Sequence, residues 1–213
     1  MDFRLARENM VMAQIEARGI NDPLVLAAFR GVPREEFVPE AVKDRAYDDG
    51  PLMIGEGQTI SQPLIVAYMI ALAKLRGGES VLEIGAGSGY AAAILGRIAA
   101  RVFAIERLPG LADAARARLA GLGADNVEIR CADGTLGWPE RAPFDAILIS
   151  AAAPSAPPTL KQQLKVGGRL IVPVGEHAQT LTRITRVTET AFEEAALAPV
   201  MFVPLIGAEG FPG

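Results

Sequence analysis

Residues 81–90 read VLEIGAGSGY. Val81, Leu82 and Ile84 surround a single glutamate, Glu83, in an apolar run with the composition of a buried strand. Gly85, Gly87 and Gly89 then remove Cβ from alternate positions, and the alanine-rich run 91–100 reads as a helix. Strand, tight glycine turn and helix make the layout of a nucleotide or nucleoside site at the carboxyl end of a sheet strand. The helix start there leaves backbone N–H groups free to meet a ligand. A plain turn would want glycines too, so the neighbouring elements must decide.

Downstream, Arg101–Glu106 is a second apolar strand with a carboxylate at its end, and 111–122 reads as a helix closed by Gly121 or Gly123. Asn126–Cys131 is a third strand, followed by Ala132-Asp133-Gly134. Phe144–Ile149 is a fourth, followed by Ser150; 160–164 is a short helical piece, and Arg169–Val174 is a fifth strand. Such repeats imply a mostly parallel sheet with helices on both faces. After Gln179 the pattern changes: Thr180–Thr190 and Ala196–Leu205 are rich in strand formers with no helix between them, which predicts a closing antiparallel hairpin. The fold class is α/β, a mostly parallel seven-stranded sheet. The last residues, GAEGFPG, read as a flexible end.

Upstream, 3–18 has helical spacing and stops at Gly19, and Asp22-Pro23 reads as an N-cap and first-turn pair. These residues predict an N-terminal helical cap over the sheet edge. Residues 47–63, YDDGPLMIGEGQTISQP, read as a long loop between helices, and a loop of that length points to function. Its glycines at 50, 55 and 57 suggest closure over a ligand. Pro63 opens a helix over 64–75 that Ser61 or Thr59 could cap.

The chain has 213 residues, a net charge of −4 and a pI near 5.2. That length fits a single domain, 1–213, with a cap and active-site loop over 1–63 and a sheet core over 80–205. The charge argues against bulk binding to nucleic acid or an anionic membrane. Cys131 and His177 stand alone of their kinds, so neither an intrachain disulfide nor a His/Cys metal cluster can form. With no signal-peptide pattern and no apolar run of spanning length, the expected setting is the cytoplasm.

Glu106 follows Gly85 by 21 residues, where a strand-end carboxylate can accept from two ribose hydroxyls. Asp133 ends the next strand on the same sheet edge and could accept from an adenine amino group, with Gly134 admitting the ring. The dinucleotide pattern G-x-G-x-x-G is not met, because Tyr90 stands at its last glycine. No Walker lysine follows, and Ser88 has the wrong glycine spacing for a hydrolase nucleophile. Glu83 is awkward beside a pyrophosphate but comfortable beside an ammonium or sulfonium group, which favours S-adenosylmethionine over NAD.

Beyond this crevice, the chain resembles the protein-L-isoaspartate (D-aspartate) O-methyltransferase family almost from end to end. The resemblance is carried by RGI at 18–20 with Asp22, VPREEFVPE at 32–40, AY at 46–47, PLMIGEGQTISQP at 51–63 and VLEIGAGSGY at 81–90. It continues through IER at 105–107, ADG at 132–134, GW at 137–138, APFDAILIS at 142–150 and FVPL at 202–205. It implies a Rossmann-like class I SAM-dependent methyltransferase, a monomer that acts on proteins and peptides with isoaspartyl residues. The methyl of S-adenosylmethionine would pass to the free α-carboxylate of L-isoaspartyl, and in the family also D-aspartyl, residues. S-adenosylhomocysteine would be the second product, and the ester would collapse to a succinimide.

Ser61 matches the family's active-site serine. The resemblance implies cofactor contacts from Gln58, Thr59, Ile60 and Ser61, from Glu83, Gly85, Ala86, Gly87, Ser88 and Gly89, and from Glu106, Arg107, Asp133 and Gly134. FVPL would help bind peptide backbone. The chain departs from the family at Ala86 (often Thr), Ala132 (often Gly) and Met201 (often Arg), the last bearing on peptide preference. Two other readings share the crevice: a methyltransferase of another substrate class, and a non-catalytic nucleoside-binding module.

Overall fold

The computed structural model describes residues 2–213. Its centre is a seven-stranded sheet built from β3 (Ser80–Ile84), β4 (Arg101–Glu106), β5 (Val127–Cys131), β6 (Phe144–Ile149), β7 (Leu164–Val174), β8 (Gln179–Arg186) and β9 (Phe192–Val200). The order is β5-β4-β3-β6-β7-β8-β9, parallel from β5 to β7, with β8 and β9 closing it as an antiparallel hairpin. The β7 strand begins five residues earlier than the sequence suggested and pairs irregularly with β6 near Phe144.

Alternation along each strand feeds two separate cores, as a sheet covered on both faces requires. Val81, Val102, Ala104, Ala146 and Leu148 face one core. Leu82, Phe103, Ile105, Ile147 and Ile149 face the other, with Trp138 and Leu160. The first core is roofed by α2 (Pro23–Gly31), α3 (Pro63–Ala73), α4 (Tyr90–Gly96) and α5 (Pro109–Gly121), and the second by α6 (Pro158–Gln162) with short 3-10 turns. The Asp22 side chain caps α2 as expected, accepting from the N–H groups of Leu24 and Val25.

Five expectations need correction. The helix over 3–18 is not uniform: α1 (Phe3–Met10) widens into a π turn over Val11–Ile15 and ends as a 3-10 turn, which puts Met10, Val11 and Ile15 all in the core. The 47–63 loop contains an antiparallel hairpin, β1 (Leu52–Gly55) with β2 (Gln58–Ile60), turned by Gly55, Glu56 and Gly57 at positive φ. Neither Ser61 nor Thr59 caps α3; Gln62 holds that position without a side-chain capping bond, and Ser61 is left for other work.

The last strand is offset, and the tail is not loose. The β9 strand ends at Val200, so FVPL lies beyond it. Its Phe202 is held front and back by the Gln179 side chain, and the Val203 carbonyl accepts from Ala152 N–H beyond the end of β6. The following residues are pinned by side chains distant in sequence. Ala208 N–H donates to Asp133, Glu209 N–H donates to the Thr135 hydroxyl, and the Glu209 carboxylate accepts from Thr159.

Candidate active site

The chain leaves β3 toward β4 on one side and leaves β6 toward β7 on the other, so a crevice opens between their carboxyl ends. Gly85 follows β3 and Ser150 follows β6, and the Ser150 N–H donates to the Ile84 carbonyl at 2.8 Å. Gly85, Gly87 and Gly89 all have positive φ, +81°, +53° and +87°, a region that side-chain-bearing residues enter only with strain. The turn is held from below by the Ile105 carbonyl, which accepts from Gly85 and Ala86.

Three hollows meet at this crevice, and Thr59 and Ser150 line all three. The first, about 690 Å³, lies between the glycine turn, Glu106, Gly134 and the segment Val203–Ile206. The second, about 350 Å³, is bounded by Ser61, Glu83, Ala86, Ser88 and Tyr90. The third is an open groove of about 1470 Å³ walled by Pro51, Ser61, Gln62, Ile65 and residues 199–203, with no charged side chain in its lining. The β1–β2 hairpin overlies the turn, and a Cβ added to Gly87 would lie 3.3 Å from Ile54.

Glu106 is almost wholly buried. One of its oxygens accepts from Gly87 N–H at 2.8 Å and the other from Leu108 N–H at 2.9 Å. Each oxygen keeps a lone pair for a ligand hydroxyl. A Cβ on Gly134 would run into Ile84, so this position is a close approach that admits no larger residue without movement.

Glu83 is 1% exposed, and its carboxyl is pushed up to about 8. Burial is the main cause, with the charge of Glu106 adding to it and the Ser150 hydroxyl opposing. One oxygen of Glu83 meets that hydroxyl, and the other has no partner among the described residues. A buried carboxyl left half-satisfied beside a hollow has an oxygen free for a ligand, and a positively charged ligand group would favour its ionised form.

Of the residues expected to contact cofactor, Gln58, Thr59, Ile60, Ser61, Glu83, Gly85, Ala86, Gly87, Ser88, Glu106, Arg107 and Gly134 line the first two hollows. Gly89 does not, because it caps α4 and packs against Ala115 and Leu119 of α5. Nor does Asp133. Its carboxyl is raised by burial, but bonds from Ala208 and Thr135, with the charge of Arg107, hold it below the usual range.

Ser150 and the segment Val203–Ile206 line the site without having been singled out for cofactor contact. The place of Ser150, directly after a strand that neighbours β3, was a usable signal. That of Ile206 depends on how the tail folds back.

A family model described as protein-L-isoaspartate(D-aspartate) O-methyltransferase matches residues 6–210. The chain is 58% identical over 211 residues to protein-L-isoaspartate O-methyltransferase 1 of Rhodopseudomonas palustris strain HaA2, covering 98% of this chain and 86% of that one. It is 54% identical over 213 residues to the Marinobacter nauticus protein-L-isoaspartate O-methyltransferase 2, covering 99% and 97%.

Among solved structures, one protein-L-isoaspartate O-methyltransferase superposes with a TM-score of 0.88 at 30% identity, over 96% of this chain and 67% of the other. A Plasmodium falciparum structure assigned to the same activity, in complex with S-adenosyl-L-homocysteine, gives 0.81 at 26% identity, over 94% and 98%.

Proposed function

The chain belongs to the protein-L-isoaspartate(D-aspartate) O-methyltransferase family, and from that premise we propose how its residues divide the work. It is a methyltransferase that moves the methyl group of S-adenosylmethionine to the free α-carboxylate of isoaspartyl residues in damaged proteins, opening repair through a succinimide.

The residues present suit the cofactor. Glu106, held by two N–H groups, takes the two ribose hydroxyls. Gly134 lines the hollow that takes the adenine, and Asp133, outside that lining, holds through Ala208 the tail that walls it. The half-satisfied Glu83 faces the ammonium and sulfonium end. Gly85, Ala86, Gly87 and Ser88, with Gln58, Thr59 and Ile60, form the walls, and Arg107 stands exposed at the rim.

Ser61 is the residue assigned to the acceptor. A carboxylate is already ionised at neutral pH, so the acceptor needs no general base. Attack on a sulfonium methyl cancels two charges, which leaves alignment and partial exclusion of water as the tasks of the protein. Ser61 orients the acceptor by a hydrogen bond and forms no covalent bond to it. The observation that carries this reading is that Ser61 lines both the small hollow beside Glu83 and the wide apolar groove, the one residue of the T-I-S segment besides Thr59 to face both.

The groove takes the peptide. No helix among the described residues is long and apolar enough to cross a membrane, and we place the enzyme in the cytoplasm as a monomer without nucleic-acid or membrane partners. The test is product chemistry: label transferred to an isoaspartyl peptide should leave as methanol in mild base with succinimide formation. Base-stable label would assign the chain to another methyl acceptor.

A further inference from the structure

Arg34 lies in the 3-10 turn Arg34–Phe37 of the cap and is 0% exposed, the largest fully buried side chain among the described residues. Burial on that scale penalises a guanidinium unless its donors are used. No carboxylate bonds it among the described residues; the adjacent Glu35 is occupied instead by the Tyr47 hydroxyl. Two backbone carbonyls take its place. Nε donates to the Ala46 carbonyl at 2.7 Å, and one terminal nitrogen donates to the Ser61 carbonyl at 2.9 Å. The other terminal nitrogen has no hydrogen-bond partner among the described residues.

Those two carbonyls stand at the two ends of the segment that carries the β1–β2 hairpin. The guanidinium carbon sits 4.8 Å from the ring centroid of Tyr90, the first residue of α4 after the glycine turn. Phe29 and Phe37 hold that ring edge-on, at centroid distances of 6.0 and 5.4 Å. One side chain therefore braces the root of the hairpin and the backbone of Ser61 against the helix that follows the cofactor turn. A planar fork can bridge two fixed carbonyls and stack on a ring together; an ammonium on a flexible stem cannot.

We propose that Arg34 is the positioning residue of the acceptor site, setting through the Ser61 carbonyl where the Ser61 hydroxyl stands. The inference rests on the role given to Ser61 above, and the two can be tested apart. Arg34 itself lines none of the three hollows and acts on the substrate only through the residue it holds. Because misplacement of a reacting group by about 1 Å costs up to about 100-fold in rate, a small shift of Ser61 should be visible in turnover.

The experiment is a double-mutant cycle on the full chain with an isoaspartyl peptide, using Arg34→Lys, Ser61→Ala and the pair. S-adenosylhomocysteine affinity is read by calorimetry, and amide exchange over residues 46–62 is read on the ligand-free proteins. Arg34→Lys should lower kcat on the order of tenfold or more, leave cofactor affinity within about twofold, and speed exchange over 46–62. In the Ser61→Ala background the same change should cost less than about twofold, since the residue it positions is gone.

Equal losses in both backgrounds, or a loss of cofactor affinity in step with kcat, would make Arg34 a general structural brace and overturn the proposal. If Ser61→Ala alone leaves turnover intact, the role of Ser61 falls first and the inference falls with it. Should the lysine variant not fold, Arg34→Met, which fills the space without burying a charge, is read by the same cycle.

Discussion

The Ser150 hydroxyl donates to Glu83 across 3.5 Å, and this contact ties the ends of the two strands that open the crevice. It leaves the other Glu83 oxygen unpartnered, with Glu106 as the nearest like charge acting on it. In the ligand-free protein this carboxyl is raised to about 8, so the folded state holds a proton that the unfolded chain releases near the ordinary glutamate value. Stability should therefore fall as pH rises from about 4.5, and the fall should stop once the folded form also ionises near 8.

Glu83→Gln removes that loss. Its melting temperature should match the parent near pH 4.5, exceed it increasingly toward pH 8 and hold a constant lead above that, while its cofactor affinity drops. A constant offset at every pH would show that Glu83 does not titrate in this window. A cationic ligand group should also drive the proton off, so calorimetry in buffers of different ionisation heat should detect release of roughly one proton at pH 7, absent in Glu83→Gln.

Ser61→Ala should lower kcat by about 10- to 100-fold, the range expected when a reactant loses its alignment. S-adenosylhomocysteine affinity should stay within about threefold, the effect of one exposed hydrogen bond. Single-turnover kinetics and calorimetry separate the two. A fall in affinity with turnover preserved would move Ser61 to the cofactor half of the site.

The tail offers a separate handle on the cofactor. Glu209 holds Thr159, Ala208 holds Asp133, and Ile206 lines the adenosyl hollow. Glu209→Ala should weaken S-adenosylmethionine binding by roughly 3- to 10-fold, as expected for losing a charge-assisted bond at a half-buried site. Turnover at saturating cofactor should change little. Equilibrium dialysis gives the first quantity, and unaltered binding would mean that the tail is pinned without bearing on the site.

Met201 is 92% exposed on the rim of the acceptor groove, whose lining has no charged side chain. Met201→Arg should lower KM for isoaspartyl peptides with acidic neighbours and leave neutral ones alone. The gain should fade between low salt and about 0.5 M, where the screening length shrinks to a few ångströms. Equal KM changes for both peptide sets would place Met201 off the peptide path.

How much of this was legible in the chain follows the range of the interactions. Val81–Gly89 and Glu106 were readable because strand, turn and strand-end carboxylate are local patterns, and the Glu106 bonds to Gly87 and Leu108 lie within that pattern. The β1–β2 hairpin was not. Its strands are short, and its Gly-Glu-Gly turn needs three successive positive φ values, so Gly, Pro and polar residues dominate the composition. The tail misled for a different reason. GAEGFPG has no periodicity, and its order comes from Asp133, Thr135 and Thr159, side chains from elements far back in sequence. Asp133 was placed on the correct sheet edge, but its engagement by Ala208 could not be read without knowing where the tail goes.

The Ser61 reading gained from the structure in one respect. A serine ahead of a proline-initiated helix is most simply a cap, and the observed start at Gln62 with no capping side chain removes that explanation.

The central claim is the acceptor. Incubating the enzyme with methyl-labelled S-adenosylmethionine and two peptides that differ only in an isoaspartyl or an aspartyl linkage tests it most directly. The account predicts base-labile label on the isoaspartyl peptide and none above background on its aspartyl twin. Equal labelling of both peptides, or of neither, would contradict it.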